Sequence, residues 1–180
     1  MAFDLQAQHI TFVLIGISLA LIPIAKSRAR GIKLKANYFA LMFAECLAFS
    51  LVLGVLLQSI LRLGGLSSGG PGSGLMQNLA LSVGAGLFEE IIFRVILLNL
   101  LFLLLSPLLK KKVVAAVVSV LLASFLFSLS HYVGTMSDTW ELYSFMFRWA
   151  AGLLFTVLYF VRGFAITAYT HALYDIWVLV

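Results

Sequence analysis

Residues 87–105 read LFEEIIFRVILLNLLFLLL, which combines a membrane-length apolar run with three charged side chains. About 20 helical residues cross the roughly 30 Å hydrocarbon core of a bilayer, so this run predicts a transmembrane helix. Glu89, Glu90 and Arg94 lie inside it. One charged side chain at the bilayer centre costs roughly 2.5–3.5 kcal/mol, and such residues persist where they pair, line a wet cavity or do chemistry. The stretch therefore predicts a functional site within the membrane.

The composition of the whole chain is that of an integral membrane protein. Of its 180 residues, 63% are hydrophobic and 11% are charged, and the mean hydropathy is +1.11, which leaves too little polar surface for a water-soluble globule. Long apolar runs favour helices over a barrel, whose strands alternate over short segments. The net charge of +5 does not indicate a nucleic-acid partner, because most Lys and Arg lie in short segments between apolar runs, as the positive-inside rule expects.

We predict an all-α, polytopic transmembrane bundle of about six spans, at residues 9–25, 37–61, 77–109, 113–133, 142–161 and 164–180. With the basic segments in the cytoplasm, the N-terminus lies outside. The third span would be about 50 Å long, so it either tilts or breaks near Gly84 and Gly86. The loop at 64–74 is rich in Gly and Ser, and its formal G-x-S-x-G match at Gly65 does not favour a serine hydrolase, because no strand precedes it.

Helical spacing gives the two adjacent glutamates different surroundings. Residues four apart share a helix face, whereas adjacent residues are rotated by about 100°. Glu90 is therefore expected to pair with Arg94, which leaves Glu89 free to act. Outside this stretch, we expect Glu45 to neutralise Arg148, since both are single charges inside predicted spans.

Two further motifs place histidines in apolar runs: FSLSH at 127–131 and HALYD at 171–175. The spacing of four predicts that the Phe127 ring packs beside His131. It also predicts that Asp175 accepts a hydrogen bond from His171 and sets the tautomer of its ring.

One carboxylate and two imidazoles can activate a water molecule in two ways. In the first, Glu89, His131 and His171 ligate Zn²⁺ or another divalent metal that carries the water. In the second, no metal is present, and Glu89 with His131 acts as the general base. His171 and Asp175 would then position the substrate or stabilise the oxyanion. The residues leave both routes open, and two histidines with a glutamate favour the first, which would make the protein a metalloendopeptidase.

The motifs Glu-Glu-x-x-x-Arg, Phe-x-x-x-His and His-x-x-x-Asn/Asp, in this order on separate membrane helices, resemble the CAAX protease and bacteriocin-processing (CPBP, or Abi) family. That family includes the type II CAAX prenyl endopeptidases and lysostaphin-resistance-like proteins. The similarity covers about residues 77–178, and Asp175 stands where many members carry Asn. The resemblance implies a catalytic set with supporting residues: Glu89, His131, His171 and Asp175, supported by Glu90, Arg94 and Phe127.

The resemblance also implies an intramembrane endopeptidase that hydrolyses a peptide bond of a membrane-tethered or lipid-modified polypeptide in a bacterial cell (inner) membrane. Residues 77–180 would form the catalytic core and residues 1–76 a two-span region with the Gly/Ser loop, together one compact membrane domain. A non-catalytic immunity or scaffold protein of the same fold is one alternative, although it has no need of costly intramembrane charges. A small transporter with proton-relay carboxylates is another, although no inverted repeat is visible. The oligomeric state is not predicted.

Overall fold

The computed structural model describes residues 35–63, 75–134 and 138–179, and these residues form helices and no strands. The helices are α1 (Ala36–Leu63), α2 (Leu75–Glu90), a π-helix (Ile91–Leu97), α3 (Leu98–Leu108), α4 (Lys112–Ser130), α5 (Leu142–Arg162) and α6 (Phe164–Leu179). The predicted all-α class is confirmed. The chain divides into two compact units, Met1–Tyr38 and Phe39–Val180, and the first lies almost entirely outside the described residues. The predicted first span, 9–25, and the Gly/Ser loop, 64–74, also lie outside them.

Four stretches of the described helices are long and apolar enough to cross a membrane: Asn37–Leu57, Ser82–Leu108, Lys112–Ser130 and Leu142–Arg162. The last helix, α6, has 16 residues and a length of about 24 Å, which is less than the roughly 30 Å hydrocarbon core. The predicted count of about six spans is therefore not confirmed, although the helix boundaries fall close to the predicted ones. Large apolar side chains are exposed along these helices, as lipid contact requires.

The third predicted span does not break at its glycines. Helix α2 runs through Gly84 and Gly86 to Glu90, and the irregular part follows as the π-helix. There the Leu98 N–H donates to the carbonyl of Phe93, five residues back. The side-chain amide of Asn99 donates to two carbonyls of the same turn, that of Val95 at 2.8 Å and that of Arg94 at 3.2 Å. The Asn99 side chain thus donates to backbone carbonyls at the point where the π-helix changes to an α-helix.

Gly86 allows helix α2 to contact α6 at the backbone. A Cβ atom at position 86 would lie 2.7 Å from the backbone nitrogen of Ala172 and 2.9 Å from its Cα, whereas one at Gly84 would meet nothing within 4 Å. Small residues at helix contacts permit such close approach in membranes. The contact sits beside His171 and a few residues before the two glutamates, so it sets how near these groups come.

A sharp corner joins α5 to α6 at Gly163. Its φ of +81° lies in the left-handed region that favours glycine. The Gly163 N–H donates to Tyr159 O, and the Thr167 hydroxyl donates to Gly163 O at 3.0 Å, so both backbone groups of the corner are satisfied. Helix α1 packs near this corner through the fully buried Cys46, whose Sγ lies 3.7 Å from the carbonyl oxygen of Ile166.

Candidate active site

Three helices bring Glu89, His131 and His171 to one point. Glu89 is next to last in α2, His131 directly follows α4, and His171 lies in the middle of α6. Glu89 Oε1 is 3.9 Å from His131 Nε2, and Glu89 Oε2 is 3.7 Å from His171 Nε2. These separations are too long for direct hydrogen bonds and short enough for one small molecule to contact all three groups. The structure thus brings the three predicted residues together, and their catalytic role stays a prediction.

Both histidines use Nδ1 to bind other parts of the protein. His131 Nδ1 lies 3.0 Å from the carbonyl oxygen of Phe127, and because a carbonyl only accepts, this nitrogen donates. His171 Nδ1 lies 2.8 Å from Glu90 Oε1 and donates to that carboxylate. In a neutral imidazole the other nitrogen is then an acceptor, so each ring presents an Nε2 lone pair on the side of Glu89. With both rings neutral, these acceptors and the Asp175 carboxylate, which lies 3.7 Å from His171 Nε2, surround one space that a hydrogen-bond donor or a cation would fill.

Glu90 connects His171 to Arg94 in the interior. Glu90 and Arg94 are 0% and 1% exposed, and Arg94 Nη1 lies 3.1 Å from the same Glu90 Oε1 that binds His171. Arg94 Nη2 donates to the carbonyl of Gly152 in α5 at 3.2 Å. The predicted Glu90–Arg94 pair is confirmed. The bond from His171 to Glu90 was not expected, because helical spacing relates residues within a helix and this bond joins two helices.

The predicted partner of His171 is wrong. Asp175 Oδ1 lies 3.7 Å from His171 Nε2, the nitrogen on the side of Glu89, while Nδ1 is taken by Glu90. The spacing of four does bring Asp175 close to the ring, as expected. Helix α2 approaches α6 so closely at Gly86, however, that Glu90 reaches the far side of the imidazole. Asp175 is therefore not the group that sets the tautomer, but it lies as close to His171 Nε2 as Glu89 does, and its catalytic role stays a prediction.

Two phenylalanines hold the imidazole rings. Phe127 packs edge-on to His131 with ring centroids 5.1 Å apart, as its spacing predicts, and the Arg94 guanidinium lies 4.6 Å from the Phe127 centroid. Phe155 of α5 stacks on His171 at 4.3 Å and an interplanar angle of 22°. Nothing in the sequence distinguishes Phe155 from the other aromatic residues of its apolar run. Phe127 also lies edge-on to His171 at 6.1 Å, so each ring of the site has an Nδ1 partner and at least one aromatic neighbour, which leaves it little rotational freedom.

The expected pairing of Glu45 with Arg148 is also wrong. Glu45 Oε1 lies 2.5 Å from Arg162 Nε at the end of α5, and Arg148 Nη2 lies 2.5 Å from Asp138 Oδ2. The two arginines are 14 positions apart on one helix, which corresponds to about 21 Å along its axis. Glu45 on α1 therefore cannot reach both arginines. It lies level with Arg162 along α5 and pairs with that residue.

The fit of a divalent metal ion can be tested on the same atoms. Glu89 lies 3.7 and 3.9 Å from the two Nε2 atoms, close to the roughly 3–4 Å expected between ligand atoms that share one ion. Within residues 35–63, 75–134 and 138–179, however, no three His, Cys, Asp or Glu side chains form a group that could hold a metal ion. The two distances from Glu89 fit a shared ion, the three side chains as they stand form no ready three-ligand group, and the metal site stays a prediction.

Comparison with known proteins bears on the same part of the chain. Residues 71–177, more than half of the sequence, match the family described as type II CAAX prenyl endopeptidase Rce1-like. Neither the curated proteins nor the solved structures give a match. The matched range contains the three motifs and every residue that converges with Glu89. By this match over more than half of its length, the chain belongs to the Rce1-like family of type II CAAX prenyl endopeptidases.

Proposed function

We propose that this protein is an intramembrane endopeptidase that hydrolyses a peptide bond of a membrane-tethered or lipid-modified polypeptide. Glu89 is the base that activates the attacking water. The observation that carries the proposal is the convergence of the Glu89 carboxylate with the Nε2 atoms of His131 and His171. A water molecule held there can donate to Glu89 and to one of the two Nε2 atoms, and water is the second substrate of a hydrolase.

The proposed reaction starts from a water molecule held between these groups. One hydrogen points to Glu89 and the other to an Nε2 atom, so an oxygen lone pair is free to attack the carbonyl carbon of the scissile bond. Glu89 takes the proton as the new carbon–oxygen bond forms. The same proton then passes to the nitrogen of the leaving amine as the carbon–nitrogen bond breaks. The histidine that accepts the second hydrogen orients the water, and the Nδ1 bonds to Phe127 O and Glu90 keep both rings in the tautomer whose Nε2 can accept.

An apolar groove on the outer side of the α2–α6 pair fits a lipid-modified substrate. It has a volume of about 250 Å³, and its lining includes Val83, Leu87, Ala168 and Ala172. Val83 and Leu87 are about half exposed, so the groove is open to the surrounding lipid. An isoprenoid or acyl chain would enter it from the bilayer without leaving an apolar environment.

The experiment compares two glutamate-to-glutamine variants on a farnesylated peptide that ends in a C-a-a-X sequence. Glu89→Gln keeps the shape of the side chain and removes the base, so turnover should fall by roughly 10²–10⁴-fold at unchanged abundance. Glu141→Gln is the matched control, because Glu141 is exposed at the start of α5 and should keep full turnover. The same peptide without its farnesyl group should show a higher KM.

Full turnover by Glu89→Gln would remove Glu89 from the role of base. A wild-type protein in liposomes that cleaves no lipid-modified peptide would favour the non-catalytic scaffold of the same fold.

A resident divalent ion is the alternative that the sequence leaves open. Glu89, His131 and His171 would hold it, and when bound it would supply a polarised, more acidic water. As their side chains stand they form no three-ligand site, so the steps above use only the groups of the chain.

A further inference from the structure

Arg148 contacts the segment that follows α4, where His131 lies. We infer that Arg148 is a positioning residue for the reaction proposed above, on which this inference rests. It holds the turn after α4 in the shape that directs His131 Nε2 toward Glu89. Neither the motifs nor the family match assigns it a role, and its expected partner, Glu45, binds elsewhere.

The guanidinium of Arg148 joins three side chains. Its Nη1 donates to the Tyr132 hydroxyl at 2.8 Å and to Ser144 Oγ at 2.9 Å, and its Nη2 donates to Asp138 Oδ2 at 2.5 Å. The charge also lies 5.3 Å from the centroid of the Tyr132 ring. A planar fork is needed to reach partners in several directions at once, which a lysine cannot reproduce.

Two of these partners lead directly to His131. Tyr132 is its neighbour in the chain, and the Asp138 N–H donates to the His131 carbonyl at 3.0 Å. Arg148 thus binds Tyr132, the residue after His131, and Asp138, whose N–H donates to the His131 carbonyl. The Arg148 guanidinium therefore connects to His131 in two ways. One runs through the side chain and the N–H of Asp138, and the other through Tyr132, the next residue in the chain.

His131 needs such support because it stands just beyond the last residue of a helix. Its N–H donates to Ser128 O at 3.3 Å, three residues back, and the following N–H donates to Leu129 O at 3.0 Å. Such final turns fray readily when nothing outside the helix holds them. Glu89 and His171 lie within helices, so of the three residues only His131 depends on outside contacts for its backbone position. We call the contacts of Arg148 with Tyr132, Ser144 and Asp138 the clamp.

The clamp should act on geometry more than on folding. The side chains of Arg148 and Asp138 are 25% and 54% exposed, and partly exposed ion pairs contribute little to stability. Loss of the clamp should therefore lower kcat with little change in KM or in abundance. A structural role alone would lower abundance and leave kcat per folded molecule unchanged.

The test compares Arg148→Gln with Arg162→Gln. Both residues lie on α5 and pair with a carboxylate, but Arg162 binds Glu45, away from the site. With the farnesylated peptide as the probe, Arg148→Gln should lower kcat on the order of 10–100-fold, because small misplacements of a reacting group are costly. Arg162→Gln should keep the wild-type kcat per folded molecule, and Arg148→Lys should fall between Arg148→Gln and the wild type.

A second measurement needs no substrate. Diethyl pyrocarbonate modifies imidazole nitrogens, and peptide mapping reports the rate at each histidine. The rate at His131 should change severalfold in Arg148→Gln and in Asp138→Asn, and stay at the wild-type value in Arg162→Gln. Asp138→Asn serves if Arg148→Gln does not fold, because Asp138 is more than half exposed.

Unchanged labelling of His131 in both Arg148→Gln and Asp138→Asn would overturn the inference. A changed rate at His131 would support it even if the wild-type protein cleaves no peptide, which is the outcome that defeats the proposed function.

Discussion

Glu90 serves two partners with one oxygen atom, and both partners are buried. Its Oε1 accepts from His171 Nδ1 and lies 3.1 Å from Arg94 Nη1, while the neighbouring Glu89 makes no contact shorter than 3.7 Å with either histidine among the described residues. The two side chains therefore differ in what they can do. Glu90 is committed to holding the site, and Glu89 is available to exchange a proton.

Glu90→Gln should destabilise the protein more than Glu89→Gln does. The amide oxygen of glutamine still accepts from His171, but Arg94 is left as a buried charge without a counter-ion, which typically costs about 3–5 kcal/mol. Abundance in the membrane and the midpoint of thermal unfolding in detergent measure the effect. Equal abundance of the two variants, with turnover lost only in Glu90→Gln, would reverse the two assignments.

At the scale of the helices, the site depends on how closely α2 and α6 approach. The backbone contact between Gly86 and Ala172 brings Glu90 within hydrogen-bonding distance of His171, although the two are 81 positions apart. The aromatic neighbours and the Arg94–Gly152 bond add α5 to the same unit. The backbone contact between α2 and α6 therefore sets the distance across which the side chains of Glu90 and His171 bond.

Gly86→Ala should disturb both the fold and the site. The added Cβ would lie 2.7 Å from a backbone nitrogen that cannot move away without shifting α6, and overpacking of this kind typically costs about 1–3 kcal/mol. Gly84→Ala is the matched control, since its Cβ meets nothing and alanine favours the helix by about 1 kcal/mol. Unfolding midpoints and turnover of both variants measure the difference. A Gly86→Ala protein as stable and active as Gly84→Ala would show that the two helices can separate without consequence.

At the scale of the whole molecule, the metal question has a direct test. Because the proposed steps use only groups of the chain, we expect purified, active protein to keep its turnover in a strong chelator that enters the detergent micelle. Elemental analysis should find well below one ion per molecule. Activity lost on chelation and restored by Zn²⁺ or another divalent ion would establish the metal route, with Glu89, His131 and His171 as the expected ligands.

How much the sequence predicts depends on the range of the interaction. Helices such as α4 and α5 were predicted closely, because bilayer thickness and basic segments limit their ends. The Glu90–Arg94 pair was predicted because it lies within four residues. The partners of Glu45 and Arg148 were not predicted correctly. The sequence shows that two isolated charges need partners, but it does not show how far along each helix they lie relative to one another. The bond from His171 to Glu90 depends on the contact of Gly86 with a second helix. The spacing of residues within one helix does not predict a contact between two helices.

The contact between Gly86 and Ala172 also bears on how the protein responds to bilayers of different thickness. Helices accommodate a change in thickness mainly by tilting. Because their backbones touch, α2 and α6 tilt as a pair, and Glu89 keeps its distance to His171. His131 is held from the end of α4, outside this pair. We therefore expect the acyl-chain length of the surrounding lipid to change the distance from Glu89 to His131 more than the distance from Glu89 to His171, so that bilayer thickness would influence the rate of the proposed reaction.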